Sequence, residues 1–224
     1  MSDNYYVPRL FEFLKELAAN NNREWFAANK SLYTELRGLW EEDINRLIGY
    51  MASWDPRMAH LTAKNCVYRI YRDLRFSQDK TPFKTFFSAA FSHYGKMTHR
   101  ACYYLHFDPT VEAGLYGGMW CPDSAMLRKI RKAIVDNIEE FEEIVDNQAL
   151  QNAFPQWCGS MLKTVPKGYD RNHPQAQYLR MKDYGRFAPV TVSEFSDPSW
   201  PEMAAERFSK ISPFIEFLNY SLDE

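Results

Sequence analysis

The chain has 224 residues, 46% of them apolar, with 27 Lys+Arg against 29 Asp+Glu and a formal net charge of −2. That much apolar material can build a sizeable core, which excludes the disordered and fibrous classes. A charge near zero excludes a globally basic nucleic-acid coat protein, although a local basic patch remains compatible with it.

The first predicted element is a helix over 8–19. Pro8 suits its first turn, and Leu10, Phe13, Leu14 and Leu17 recur at helical spacing. Asn20-Asn21-Asn22 interrupts it. Asn21 and Glu24 are spaced as a capping box, so a second helix is expected from there to about Ala52, bending near Gly38. Ser53 to Asn65, with Pro56, reads as a loop.

From Cys66 the period changes from 3.6 to 2. Residues 67–76, 85–93, 101–108 and 113–120 read as four strands with short connections, which favours an antiparallel meander. Gly117-Gly118 marks a bulge or a close approach of backbone. A long helix is expected after Cys121-Pro122-Asp123-Ser124, with Leu127, Ile130, Ile134, Ile138, Phe141 and Val145 as its apolar stripe. Its acidic end, Asp136 to Asp146, would oppose the helix macrodipole. Short helices follow around the loop at 165–170. Ser199 and Glu202 then suggest a box for a last helix running toward Leu218, broken or kinked at Ser212-Pro213. The order predicts an α+β fold: an antiparallel sheet of about four or more strands, roughly 66–120, packed with N-terminal and C-terminal helices. The whole of 1–224 is expected to form a single domain.

The N-terminal MSDNYYVPRLFEFL lacks the features of a secretory signal, and no run of about 18 apolar residues occurs. Cys66, Cys102, Cys121 and Cys158 are widely spaced without a CxxC pair. Together these predict a cytoplasmic chain with reduced thiols and no membrane partner.

The most informative stretch is 69–84, RIYRDLRFSQDKTPFK. In an extended strand Tyr68, Ile70, Leu74 and Phe76 share one face, interrupted by Arg72, and Arg69, Tyr71, Asp73 and Arg75 share the other. Same-face neighbours are about 7 Å apart, and two like unit charges at that separation repel by about 2 kcal/mol at an effective dielectric near 20. Between 64 and 100, eight cations face only Asp73 and Asp79. One reading makes this a pocket for a phosphate or carboxylate, gripped by the arginine fork. Arg69, Arg75, Lys80 and Lys84 would contact the anion, Arg72 would support it, and Asp73 and Asp79 would orient the cations. Lys167 and Tyr169, beside the flexible Gly168, would close the site. The other reading pairs the arginines with the acidic run at 136–146 and leaves no site.

His93, His99, Cys102 and His106 match no metal spacing, and the expectation is no metal and no cofactor. Tyr104, His106 and Asp108 alternate onto one face of a strand. His106, or alternatively Asp73, is the candidate proton carrier if the chain is an enzyme, and transfer or hydrolysis on a phosphorylated small molecule is then the favoured class. GxGxxG, Walker A, GxSxG and HExxH motifs are absent. The alternative function is a non-catalytic nucleic-acid- or protein-binding module. The 36 aromatic residues allow base stacking, but at this length they are more commonly core.

Several blocks recur together: Asn21 to Phe26 with Asn29-Lys30 and Tyr33; 69–84; Tyr103 to His106; Gly117 to Pro122; Leu127 to Ile134; and Pro166 to Asp170 with His173-Pro174. In this order, over roughly 9–220, the chain resembles the family known as domain of unknown function 2461. Phe83 stands where the family pattern expects Tyr, which removes one hydroxyl. The resemblance implies a single cytoplasmic domain and supplies no reaction, substrate or cofactor.

Overall fold

The computed structural model describes residues 5–73, 75, 79–96 and 99–223. Helix α1 (Val7–Ala19) starts with Pro8 in its first turn and buries Leu10, Phe13, Leu14 and Leu17, the stripe its spacing predicts, together with Phe11. Helix α2 (Arg23–Ala28) is capped one residue later than expected: Asn22, not Asn21, accepts the Trp25 N–H, at 2.9 Å. Asn21 is committed elsewhere, to the backbone of Phe83. The expected long helix is also divided. The Asn29 side chain donates to the Trp25 carbonyl at 2.9 Å, ending α2, and α3 (Lys30–Ala52) begins afresh. A 3-10 turn (Pro56–Met58) and a short helix α4 (Ala63–Cys66) occupy what reads as loop.

Among the described residues of 67–76 no continuous strand forms where one is predicted. Val67 bridges Ala89 and Tyr71 bridges Phe83, but each bridge is isolated. Arg72 N–H reaches Pro82 O at 3.0 Å, and Lys84 N–H reaches Ile70 O at 2.7 Å. The segment thus shares its hydrogen bonds between 82–84 and 88–89, and Pro82 has no N–H with which to extend a ladder. The alternation survives as burial: Ile70 is inside, while Arg69 and Tyr71 are exposed. Leu74 and Phe76 lie outside the described residues.

Strands β1 (Phe87–Phe91), β2 (Cys102–Phe107) and β3 (Gly114–Met119) fall within the predicted 85–93, 101–108 and 113–120; β2 alternates in burial, whereas β1 is buried at every position. Helices α5 (Ser124–Asp136) and α6 (Ile138–Val145) replace the single expected helix, with a break at Asn137. The break reverses the reading of the acidic run. Glu139 and Glu140 occupy the first turn of α6, where the macrodipole favours them, and Asp136 pairs with Lys132.

After α7 (Gln148–Ala153) come β4 (Gln156–Cys158), α8 (Ala176–Leu179) and β5 (Tyr184–Pro189). These later strands complete a five-stranded antiparallel sheet of order β1-β2-β3-β5-β4. Neither carries a sequence signal: β4 is three residues long, and β5 reads YGRFAP. Helix α9 (Val192–Phe195) is held by a Thr191–Glu194 capping box, and α10 (Trp200–Asp223) continues through Pro213 without ending at Ser212. The fold class is α+β, as the element order predicts.

The chain forms two compact units, each drawn from separated stretches. The first takes in the chain up to Lys96, then Tyr104–Leu115 and Pro189–Glu206; the second takes the short stretch ending at Tyr103, Tyr116–Ala188 and the chain from Arg207. In the first, Phe107 of β2 stacks on Phe11 at 4.5 Å and meets Phe195 at 4.5 Å, while Trp40 of α3 packs on Phe87 at 5.0 Å. In the second, Phe208 of α10 meets Tyr103 at 5.2 Å, and Phe217 meets Phe141 at 5.1 Å. Gly117 lies under Ile211, and Gly118, at φ +131°, lets the backbone pass close to the Tyr184 carbonyl. Among the described residues no helix is long and apolar enough to cross a membrane. The cysteines form no disulfide; Cys66 is buried and Cys121 exposed, and burial pushes the Cys66 thiol up to about 12 and that of Cys102 up to about 11.

Candidate functional site

The basic stretch does not act as one block. Arg75 grips Asp73 with two nitrogens, Nε at 3.0 Å and an Nη at 2.6 Å, and the pair stands in solvent. The Arg75 hydrogen bonds hold the Asp73 carboxyl well below the usual range. Arg72 pairs with Asp79. Asp79 also accepts from the Thr81 N–H at 2.9 Å and the Thr81 hydroxyl at 2.8 Å, and these, before the Arg72 charge, lower its pKa. Thr81-Pro82 therefore forms a bend closed by Asp79. Arg72 and Arg75 take acids from their own segment. Lys80 is exposed beside them.

Arg69 and Lys84 are different. Neither forms an ion pair with a carboxylate of the described residues. Arg69 is exposed, whereas Lys84 is half-buried. The Lys84 ammonium lies 5.2 Å from the Tyr68 ring centre and 5.8 Å from that of Phe86. Burial, and after it the charges of Arg69 and Arg72, push Lys84 below the usual lysine range. Arg72 Nε is also buried without an acceptor. Three cations thus share one neighbourhood, and among the described residues the carboxylate that meets them is Asp79, on an Arg72 Nη.

Phe86 joins this neighbourhood to His106. Its ring centre lies 4.4 Å from the imidazole. His106 stands on β2 with Tyr104 and Asp108, the alternation read from the sequence. The Tyr104 hydroxyl lies 3.2 Å from Nδ1, and Asp108 Oδ2 lies 3.8 Å from Nε2. Asp108 is buried, which raises its pKa, but the nearby His106 ring and the hydrogen bonds of Thr110 outweigh this and hold it low. An imidazole between a phenol and a carboxylate can accept a proton and be stabilised once charged.

Lys167 and Tyr169 belong to the second unit, where Gly168 adopts φ +105° and Tyr169 packs edge-on to His173 at 5.9 Å. His93 contacts the buried Asp55 at 2.9 Å. Among the described residues no group of three metal-ligating side chains converges. Tyr68 and Phe86 were not anticipated as site residues, and no spacing rule singles out two aromatics on either side of a lysine.

A family model described as "Conserved hypothetical protein (DUF2461)" matches residues 9–217. No curated protein and no solved structure matches the chain.

Proposed function

Because the chain belongs to the conserved hypothetical protein family DUF2461, which attaches no reaction to it, we propose its function from the geometry of the first unit: it binds a small molecule bearing phosphate or carboxylate at Arg69, Arg72 and Lys84, beside His106. The observation that carries this is Lys84, a half-buried ammonium with two arginines nearby and no carboxylate partner among the described residues. A charge in that setting is costly unless an anion joins it. The Arg72 Nε without an acceptor supplies one further donor. The Tyr68 and Phe86 rings exclude water on one side, which strengthens attraction to an incoming oxyanion.

If a reaction follows binding, His106 is placed to move the proton. Asp108 stabilises the imidazolium, and Tyr104 fixes the ring. That chemistry fits transfer or hydrolysis at a phosphoryl centre. Asp73 fits it poorly, because Arg75 holds it ionised.

The test is a thermal-shift and calorimetric screen with inorganic phosphate, nucleotides and sugar phosphates. A ligand at 100 times its Kd raises stability by about 2.7 kcal/mol. Lys84→Ala and Arg69→Ala should abolish the shift, whereas Arg75→Ala should keep it. No stabilising anion, or equal loss in all three variants, removes the reading.

A further inference from the structure

The second unit carries a groove of about 400 Å³ that plays no part in the site above. Arg186 of β5 lines it while only 4% exposed. Its Nε donates to the Phe154 carbonyl at 2.8 Å, and one Nη reaches the Val145 carbonyl at 3.5 Å. Both acceptors are neutral, and among the described residues no carboxylate lies within ion-pair distance. Among the described residues the second Nη has no acceptor. A guanidinium this buried has no carboxylate in direct contact with it among the described residues.

The wall is aromatic. The Trp157 ring centre lies 4.8 Å from the Arg186 Cζ, the indole remains 37% exposed, and Tyr178 stands 6.4 Å from it. The exposed Asp146 lines the same groove. It is near enough to act electrostatically on both Arg186 and Tyr178, yet does not close onto the guanidinium. The groove therefore offers a buried positive fork and an exposed carboxylate, separated by a gap, beside an indole and a phenol.

We infer that this groove takes a small zwitterion, an α-amino acid with a large apolar or aromatic side chain. Its carboxylate pairs with Arg186, its ammonium with Asp146, and its side chain lies against Trp157 and Tyr178. A plain anion would meet Asp146 repulsively, and a plain cation would meet Arg186. A neutral molecule would leave both charges unsatisfied. Arg186 suits the carboxylate because its second Nη still carries two N–H donors on a permanent charge, and a volume of about 400 Å³ lies within the usual range for small-molecule sites. The inference does not depend on the anion site of the first unit.

Isothermal titration of the full chain tests it with three probes: L-phenylalanine, L-phenylalaninamide, which lacks the carboxylate, and 3-phenylpropionate, which lacks the ammonium. L-Phenylalanine should bind, and each of the others at least tenfold more weakly. Asp146→Asn, a change on an exposed side chain, should weaken L-phenylalanine about tenfold and tighten 3-phenylpropionate, since it removes the repulsion. Trp157→Ala should weaken all binding. The inference is overturned if no probe binds, if 3-phenylpropionate binds as tightly as L-phenylalanine, or if Asp146→Asn has no effect.

Discussion

Asn21 holds Phe83 by both ends of one amide: its Nδ2 donates to the Phe83 carbonyl at 2.9 Å, and its Oδ1 accepts the Phe83 N–H at 3.1 Å. The two residues are 62 positions apart. The contact fixes the turn before Lys84 against the start of α2, and Phe83 then stacks on Phe26 at 4.0 Å. A side-chain amide imitates here the strand neighbour that 67–76 does not provide continuously.

Asn21→Ala leaves both main-chain groups of a buried residue without partners and should cost about 2 kcal/mol. Because Lys84 follows directly, anion affinity should fall with stability. Asn22→Ala removes only the α2 cap, should cost about 1 kcal/mol, and should leave affinity unchanged. Urea melts and titrations on both variants check this; equal effects on affinity would contradict it.

Anion binding should weaken with rising pH earlier than an ordinary lysine allows. The Lys84 pKa is depressed in the free protein by burial and by Arg69 and Arg72, so above that depressed value binding must take up a proton. Lys84→Arg should remove the fall, because guanidinium stays charged. The slope of log Kd against log salt separates a small ligand from nucleic acid, which would lose about 10³–10⁵ in affinity between 50 and 200 mM salt with six to ten phosphate contacts.

Asp55 should shape the acid limb of stability. Burial raises its pKa, but hydrogen bonds from Arg57 and His93 outweigh this and leave it below its ordinary 3.8. A carboxyl depressed on folding stabilises fully above its unfolded value, and the contribution is lost as pH falls through the folded one. Stability should therefore drop as pH falls below about 3.8. Asp55→Asn should cost about 3 kcal/mol near neutrality and flatten that limb. Chemical denaturation from pH 2 to 7 measures both.

Gly118→Ala should be among the most damaging single changes. A Cβ there would stand 2.1 Å from the Tyr184 carbonyl oxygen, at φ +131°. A loss of about 3 kcal/mol is expected. By contrast Gly38→Ala, with open space around its Cβ on α3, should stabilise by up to about 1 kcal/mol. Melting temperatures of the two variants decide it.

The local patterns determined a good deal by themselves. Periods of 3.6 and 2 located α1, α3, β2 and β3, since burying one face imposes the same repeat wherever the element lies. The alternation of Tyr104, His106 and Asp108 placed three groups on one face before any contact was known. The cation excess of 69–84 was legible too, because charges can be counted along the chain.

Tertiary structure decided what those charges do. Arg75 meets Asp73 and Arg72 meets Asp79, while Lys84 is left among aromatics, since pairing depends on how the turn at Thr81-Pro82 folds back on Ile70 and Arg72. It decided the breaks at Asn29 and Asn137, where a polar side chain competes for helix carbonyls. It also decided β4 and β5, whose three paired positions are set by long-range register, Trp157 opposite Arg186 among them. Such pairing leaves no periodic trace, because its energy comes from residues far away in the chain.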